Sequence, residues 1–330
     1  RLRQPGRVRL HPLMARRELG PAALTVAQAV EHAVRGIDRF VVGCSGGPDS
    51  LALALGSEWA SRRRGAEVMV VIVDHQLQDG SDEVAARTRD LLTDRGMDAC
   101  VRRVEIDPND PDGPESAART ARRAALVDVA GKTPILLGHT LDDQAEQVLL
   151  SLARGSGATS LAGIRPRAGQ FWHPLLGVRR AQTLQACQEW DVETWHDPHN
   201  SDSRFLRSRV RTELMPVLED VLGSGVAESL ARSASLLAGE DAVVTAVADQ
   251  WARDHEVTDD VLPGLRGVES GLARRVVKKW LPEATMVHVD AVLGLLDGPG
   301  GAGVDVPGGR VEMRLSLIHI SEPTRRYAIS

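Results

Sequence analysis

Apolar residues between positions 25 and 216 follow two rhythms. Short runs rich in β-branched side chains occupy 40–44, 67–73, 99–106 and 134–138, and such runs without strict alternation fit strands covered on both faces of a parallel sheet. Between them the apolar positions repeat with a helical period. One such stretch is 25–34, with Thr25 and Gln28 at capping-box spacing; others start at Leu51, at 81–95 behind a Ser81-Asp82-Glu83 cap, and at Glu115. This alternation predicts an α/β fold with a doubly wound, mostly parallel, Rossmann-like sheet. Farther on, 171–176 reads as a short strand that Pro174 places at a sheet edge, 179–190 as a helix and 192–195 as another short strand.

The rhythm changes after Met215-Pro216, where strand signals give way to a long helical period over 226–256 and two shorter ones over 271–281 and 287–296. A Gly/Pro-rich stretch, 298–314, closes with a hairpin around Pro307-Gly308-Gly309. The expected organisation is therefore an arm over 1–24, a catalytic α/β domain over 25–216, a smaller mainly helical domain over 217–315 and a tail over 316–330. The arm is rich in arginine, with Met14 a candidate start, and the tail resembles translated sequencing adaptor.

Composition narrows the function classes. The longest apolar run, Val68 to Val73, falls far short of the roughly 20 residues a membrane-spanning helix needs, so a soluble, cytoplasmic protein is expected. Cys44, Cys100 and Cys187 are widely spaced without a CxxC pair, which argues against a disulfide framework, a zinc ribbon or a paired-thiol sulfur-transfer site. The formal net charge of -5 means that a nucleic-acid partner must meet a local basic patch.

The candidate chemistry starts at Ser45-Gly46-Gly47-Pro48-Asp49-Ser50, between the first strand and a helix. Two glycines let successive N–H groups face one point, and the helix start adds its positive dipole end, a combination suited to polyphosphate. Asp49 approaches phosphate only through a cation, which points to Mg²⁺. No GxxxxGK[ST] string is present, so the loop is not a Walker loop, and an ordinary strand-to-helix turn remains the plain alternative. Asp74 and His75 end the second strand at the ligand-binding edge of such sheets, though Asp74 could equally cap a turn. Glu115, Arg119 and Arg122 share a helix face, which a surface salt bridge would also explain. The fourth strand delivers His139, Thr140, Asp142, Asp143 and Glu146. Carboxylates at a helix start can hold Mg²⁺ or an ammonium, or simply answer the dipole. Arg154-Gly-Ser-Gly157 is an anion-friendly loop, and Arg204, Arg207, Arg209 and Arg211 form a run with no acid between them, fit for RNA phosphates, ATP or plain solvation.

SGGPDS resembles the pyrophosphate loop of the N-type ATP pyrophosphatases. Together with Val73-Asp74-His75, the E-x-x-A-R pattern at 115–119, HTLDDQAE at 139–146, RGSG at 154–157 and DPHN followed by R-x-x-R-x-R, it resembles the tRNA(Ile)-lysidine synthetases over about residues 25–314. Arg123 departs from the aromatic residue usual in that family, which puts one packing contact in doubt. The resemblance implies ATP and Mg²⁺ as cofactors, free L-lysine as co-substrate and an isoleucine tRNA with a CAU anticodon as partner. It implies that Ser45 to Ser50, Asp74, His75 and His139 hold the nucleotide, and that Asp142, Asp143, Glu146 and Arg119 serve catalysis. Asp49 and Asp143 would hold metal, and Arg204, Arg207, Arg209 and Arg211 would hold RNA. A thiolase of the same superfamily and a non-catalytic RNA-binding module are the alternatives.

Overall fold

The computed structural model describes residues 19–74, 76, 80–106, 114–195, 205–255, 264–298, 302–314 and 317–321. His75, Arg204 and the side chain of Glu115 lie outside the described residues, as do the first 18 residues. The chain divides into two compact units, Arg1–Ser235 and Leu236–Ser330.

The first unit is built on a six-stranded sheet. In chain order it holds α1 (Pro21–Ala33), β1 (Arg39–Cys44), α2 (Pro48–Arg64), β2 (Glu67–Asp74), α3 (Ser81–Asp94), β3 (Asp98–Arg103), α4 (Pro114–Ala130), β4 (Ile135–Leu136) and α5 (Leu141–Ala153). Then come the short α6 (Ala158–Leu161), β5 (Arg167–Ala168), β6 (Phe171–Trp172) and α7 (Arg180–Glu189). The strands lie in the order β3-β2-β1-β4-β6-β5, all parallel except the β5–β6 pair. Because chain order reverses between β1 and β4, a crevice opens beyond their carboxyl ends, the ligand position of open α/β sheets.

Alternate residues of β1 feed two cores. Phe40, Val42 and Cys44 pack with Val26 and Val30 of α1, Leu51 and Leu53 of α2, and Ala186 and Cys187 of α7. Val41 packs instead with Val71, Leu126 and Ala130 of α4, Ile135 and Phe171. Helices thus cover both faces, which explains why β1, β2 and β4 carry few polar side chains.

Several local expectations need correction. α1 begins at Pro21, not at Thr25, because proline suits the first helical position and the cap comes from elsewhere: Glu189, at the end of α7, accepts from the N–H groups of Ala22 and Ala23 at 3.4 and 2.8 Å. Ala22 and Ala23 are buried, so 21–24 belong to the folded unit and not to an arm. Ser81 does not cap α3; Gly80 does so in a left-handed conformation, and the Ser81 hydroxyl donates to Asp74 instead. β6 is not an edge strand, since β5 pairs with its outer side and Pro174 lies beyond it. Residues 192–195 form no strand.

From residue 206 the chain runs as α8 (Leu206–Arg209), a π-helical turn (Val210–Leu214) and α9 (Met215–Leu222), followed by α10 (Val226–Asp254). Pro216 lacks the N–H that would bond one turn back, and the Met215 N–H reaches the Val210 carbonyl, five residues away. The two compact units divide within α10. Accordingly Ala227, Leu230 and Ala231 pack with Leu141, Ala145 and Met215 of the first unit.

The second unit contains α11 (Ser270–Trp280), α12 (Met286–Gly294) and an antiparallel sheet of β7 (Gly303–Val306), β8 (Gly309–Arg314) and β9 (Leu317–Ser321). The hairpin at Pro307-Gly308 forms as expected, while β9 comes from the segment set aside as a tail. Its core includes Ala248, Leu265, Val276, Val277, Val289, Val292 and Val311. No helix among the described residues is long and apolar enough to cross a membrane.

One contact fixes the crevice. A Cβ on Gly138, just past β4, would stand 2.9 Å from the Asp49 carbonyl oxygen and 3.1 Å from the Ser50 nitrogen. Gly138→Ala is expected to force apart the start of α2 and the end of β4, lowering stability by about 1–3 kcal/mol in urea unfolding with a larger relative loss of nucleotide binding.

Candidate active site

The loop after β1 is shaped by its own side chains. Ser50 Oγ donates to the Gly47 carbonyl at 2.9 Å and accepts from the Ser45 N–H at 3.1 Å, with Ser45 Oγ 3.2 Å away. Gly46 has φ +84, and a Cβ there would meet Thr88 Oγ1 at 2.7 Å, so this position requires glycine on two counts. α2 then starts at Pro48 with Gly47 as its cap and no capping side chain. The N–H groups of Asp49 and Ser50 therefore belong to a helix start free to receive an anion. Ser45, Gly46, Gly47, Pro48, Asp49 and Ser50 thus form one nest at the crevice.

Across the crevice, α5 begins with a capping box. Thr140 Oγ1 accepts from the Asp143 N–H, and Asp143 Oδ2 accepts from the Thr140 N–H at 2.8 Å and from its hydroxyl at 2.9 Å. The other oxygen, Oδ1, faces three guanidinium groups, with Arg180 Nη2 at 2.8 Å, Arg211 Nη2 at 3.4 Å and Arg207 Nη2 at 3.5 Å. Glu146, one turn on and 1% exposed, takes Arg180 Nη1 at 3.0 Å, Arg207 Nε at 3.0 Å and Arg211 Nε at 2.8 Å. Arg180 also reaches back to the loop, its Nε lying 3.2 Å from Asp49 Oδ2, while the Thr183 hydroxyl donates to Asp49 Oδ1.

Three carboxylates from α2 and α5 therefore meet three arginines from α7 and the 206–214 segment. Their ionisation differs by surroundings. Burial raises the Asp49 carboxyl, and Arg180 and Thr183 offset only part of that. Burial acts on Asp143 too, but Arg180, Arg207 and the Thr140 N–H outweigh it and hold that carboxyl at about 2. Glu146 is likewise lowered, burial being outweighed by Arg211 first. Burial works against the Arg180 charge, yet Asp143, Glu146 and Asp49 raise its pKa well above the ordinary value.

The remaining expected residues are less united. Asp142 stands apart from the cluster, accepting from Arg179 Nε at 3.1 Å and from the Arg180 backbone N–H at 2.7 Å. Asp74 ends β2 as expected and is buried, but its Oδ1 is taken by the Gln76 N–H and the Ser81 hydroxyl; Arg103 stands 3.7 Å from Oδ2. His139 lies edge-on to His173 with ring centroids 4.8 Å apart, and its Nδ1 is buried without a hydrogen-bond partner. Arg119 is exposed and bears electrostatically on both histidines. The arginine run is not one patch: Arg207 and Arg211 are spent on the carboxylates, whereas the exposed Arg209 pairs with Glu213 at 3.0 Å. Arg123, the departure noted above, lays its guanidinium 3.6 Å from the centre of the Phe171 ring, so an aromatic contact is kept in another form.

Arg179, Arg180 and Thr183 escaped the sequence reading. Their signal was present, for two arginines at a helix start oppose the dipole and must be answered by acids elsewhere. Both expected magnesium ligands, Asp49 and Asp143, bind the Arg180 guanidinium. Two carboxylates beside a phosphate nest suit Mg²⁺, which commonly takes one or two protein carboxylates and completes its shell with phosphate and water. Among the described residues no group of three or more His, Cys, Asp or Glu side chains is placed to hold a metal.

The PP-loop domain family matches residues 22–218. A curated tRNA(Ile)-lysidine synthase from Cutibacterium acnes is 80% identical over 308 residues, spanning 93% of this chain and 99% of its own. Those from Thermobifida fusca and Mycobacterium tuberculosis are 42% and 46% identical, spanning 88% and 74% of this chain and 94% and 75% of their own. The solved U34-tRNA thiolase NcsA from Methanococcus maripaludis, with its 4Fe-4S cluster, superposes with a TM-score of 0.53 at 19% identity, covering 66% of this chain and 80% of its own, a likeness of fold alone.

The histidines give a pH prediction. Burial lowers His139 from 6.5 to about 4, and lowers His173 as well. A base kept neutral in the fold stabilises it above its unfolded pKa, and that contribution is lost as pH falls toward the folded value. The urea midpoint should therefore drop between pH 6.5 and about 4, and His139→Gln should flatten much of that drop.

Proposed function

Because the chain belongs to the tRNA(Ile)-lysidine synthase family of PP-loop enzymes, we propose that it uses ATP to join free lysine to C2 of the wobble cytidine in an isoleucine tRNA with a CAU anticodon. The C2 carbonyl oxygen attacks the α-phosphorus and pyrophosphate leaves; the lysine ε-amine then attacks C2 and AMP leaves. The observation that carries this reading is the acidic start of α5 facing the Ser45 to Ser50 nest across the β1/β4 crevice.

Each group has a part. The nest and the N–H groups of Asp49 and Ser50 receive the departing pyrophosphate, whose charge grows in the transition state. Asp49 and Asp143 would hold Mg²⁺, which would supply charge neutralisation there. His139 and Asp74, with His75 beyond the described residues, border the nucleotide, and Arg119 neutralises phosphate or orients the cytosine. Lysine's ammonium must lose a proton, which costs about 4–5 kcal/mol at pH 7 without help. Asp143 and Glu146 are held too acidic to keep that proton, so they suit recognition of the ammonium, with Asp142 at the edge of the cluster as their partner. Arg209, the one described arginine of this run not spent on Asp143 or Glu146, faces the RNA. The Arg209–Glu213 pair is exposed and screened by solvent, so a phosphate readily takes the place of Glu213. The segment after Met215 grips the tRNA body and helps expose the anticodon base. The reaction is cytoplasmic, where its substrates are.

The thiolase alternative lacks a thiol suited to it among the described residues. Cys44 and Cys187 are buried, burial pushes Cys187 up to about 12, and the half-buried Cys100 stands alone on β3 with its thiol also raised by burial.

Labelled lysine should enter CAU-anticodon isoleucine tRNA only with ATP and Mg²⁺, releasing AMP and pyrophosphate; absence of incorporation by folded protein would refute the reading. Asp49→Ala should lower the incorporation rate by about a hundredfold or more. A non-catalytic RNA-binding module would leave function intact after that substitution.

A further inference from the structure

We propose that the Arg180 guanidinium is a resident cation that holds the magnesium position between Asp49 and Asp143, and that it leaves only when a triphosphate offers it another anion. The inference rests on reading this crevice as a magnesium–ATP site.

All three nitrogens of Arg180 are engaged, each by a different carboxylate: Nε by Asp49 at 3.2 Å, Nη1 by Glu146 at 3.0 Å and Nη2 by Asp143 at 2.8 Å. The two expected metal ligands are thus bridged by a positive charge belonging to the protein. Arg180, Arg207 and Arg211 together balance Asp49, Asp143 and Glu146, so a bare divalent ion entering this cluster finds no surplus negative charge to repay its dehydration.

The guanidinium is also less enclosed than the two α5 carboxylates it bridges. Its side chain is 23% exposed against 1% for Glu146 and 11% for Asp143, and the latter two are further fixed by Arg207, Arg211 and the Thr140 cap. It extends from the first residue of α7, where the helix dipole repels a cation, so the carboxylates alone hold it in place. Polyphosphate bound at the neighbouring loop would give it an anion that guanidinium groups bind well, and would bring the additional negative charge a metal needs. Metal and nucleotide would then enter together, and metal alone would be refused.

The test uses Mn²⁺ as the probe, with free Mn²⁺ followed by electron paramagnetic resonance on the full chain without nucleotide. Wild-type protein should bind Mn²⁺ weakly, whereas Arg180→Ala should bind it about tenfold more tightly or better, as expected for removing one unit charge from a partly exposed cluster. Adding Asp49→Asn to Arg180→Ala should abolish the gain. Arg180→Lys, a shorter point charge unable to bridge three carboxylates, should raise affinity by about threefold and serves if the alanine variant fails to melt cooperatively. Unchanged Mn²⁺ affinity in either folded Arg180 variant, or a gain that survives Asp49→Asn, would overturn the proposal. A failed lysine-incorporation assay alongside the expected Mn²⁺ behaviour would sink the functional reading and leave this one standing.

Discussion

The arrangement of the crevice depends on one guanidinium touching three carboxylates. Arg180 joins α7 to the start of α2 through Asp49 and to α5 through Asp143 and Glu146, while Arg207 and Arg211 bring the 206–214 segment to the same two α5 side chains. Burying any one of these charges alone would cost several kcal/mol, so each element is held by the requirement that the others stay. Apolar packing alone would leave these elements free to slide against one another by fractions of an ångström. A charge network with fixed hydrogen-bond directions restrains that sliding, and Asp49, Asp143 and Glu146 are positioned by it.

The sheet order places that network where it can act. β1 and β4 are neighbours although two strands and three helices separate them in the chain, and their carboxyl ends deliver the phosphate nest and the capped acidic helix to the two sides of one crevice. Gly138 and Gly46 mark the places where backbone must approach backbone or side chain too closely for a Cβ.

Much of this was legible in the amino-acid sequence. The four apolar runs became β1 to β4, and the acidic helix start after the fourth strand became α5, because buried parallel strands and helix starts are governed by local chemistry. What was not legible came from contacts distant in the chain. Thr25 and Gln28 have the right spacing for a cap, yet Glu189, 166 residues from Ala23, supplies it. The arginine run looked like an RNA-facing stripe because its acid partners, Asp143 and Glu146, lie more than sixty residues upstream. The two arginines that open α7 signalled a need for acids, but local pattern could not say that Arg180 meets three carboxylates distant in the chain.

The π turn at Val210–Leu214 amounts to one residue more than a regular helix would use over the same path. Arg207 lies before that extra residue and Met215 after it, so the two halves of the segment are out of helical phase by about 100°. Upstream, the phase points Arg207 at Glu146; downstream, it seats Met215 against Leu141 and Ala145. Loss of a single residue here would turn one half of the segment away from its partners whichever half stayed in place, so this stretch of chain tolerates substitution far better than a change of length.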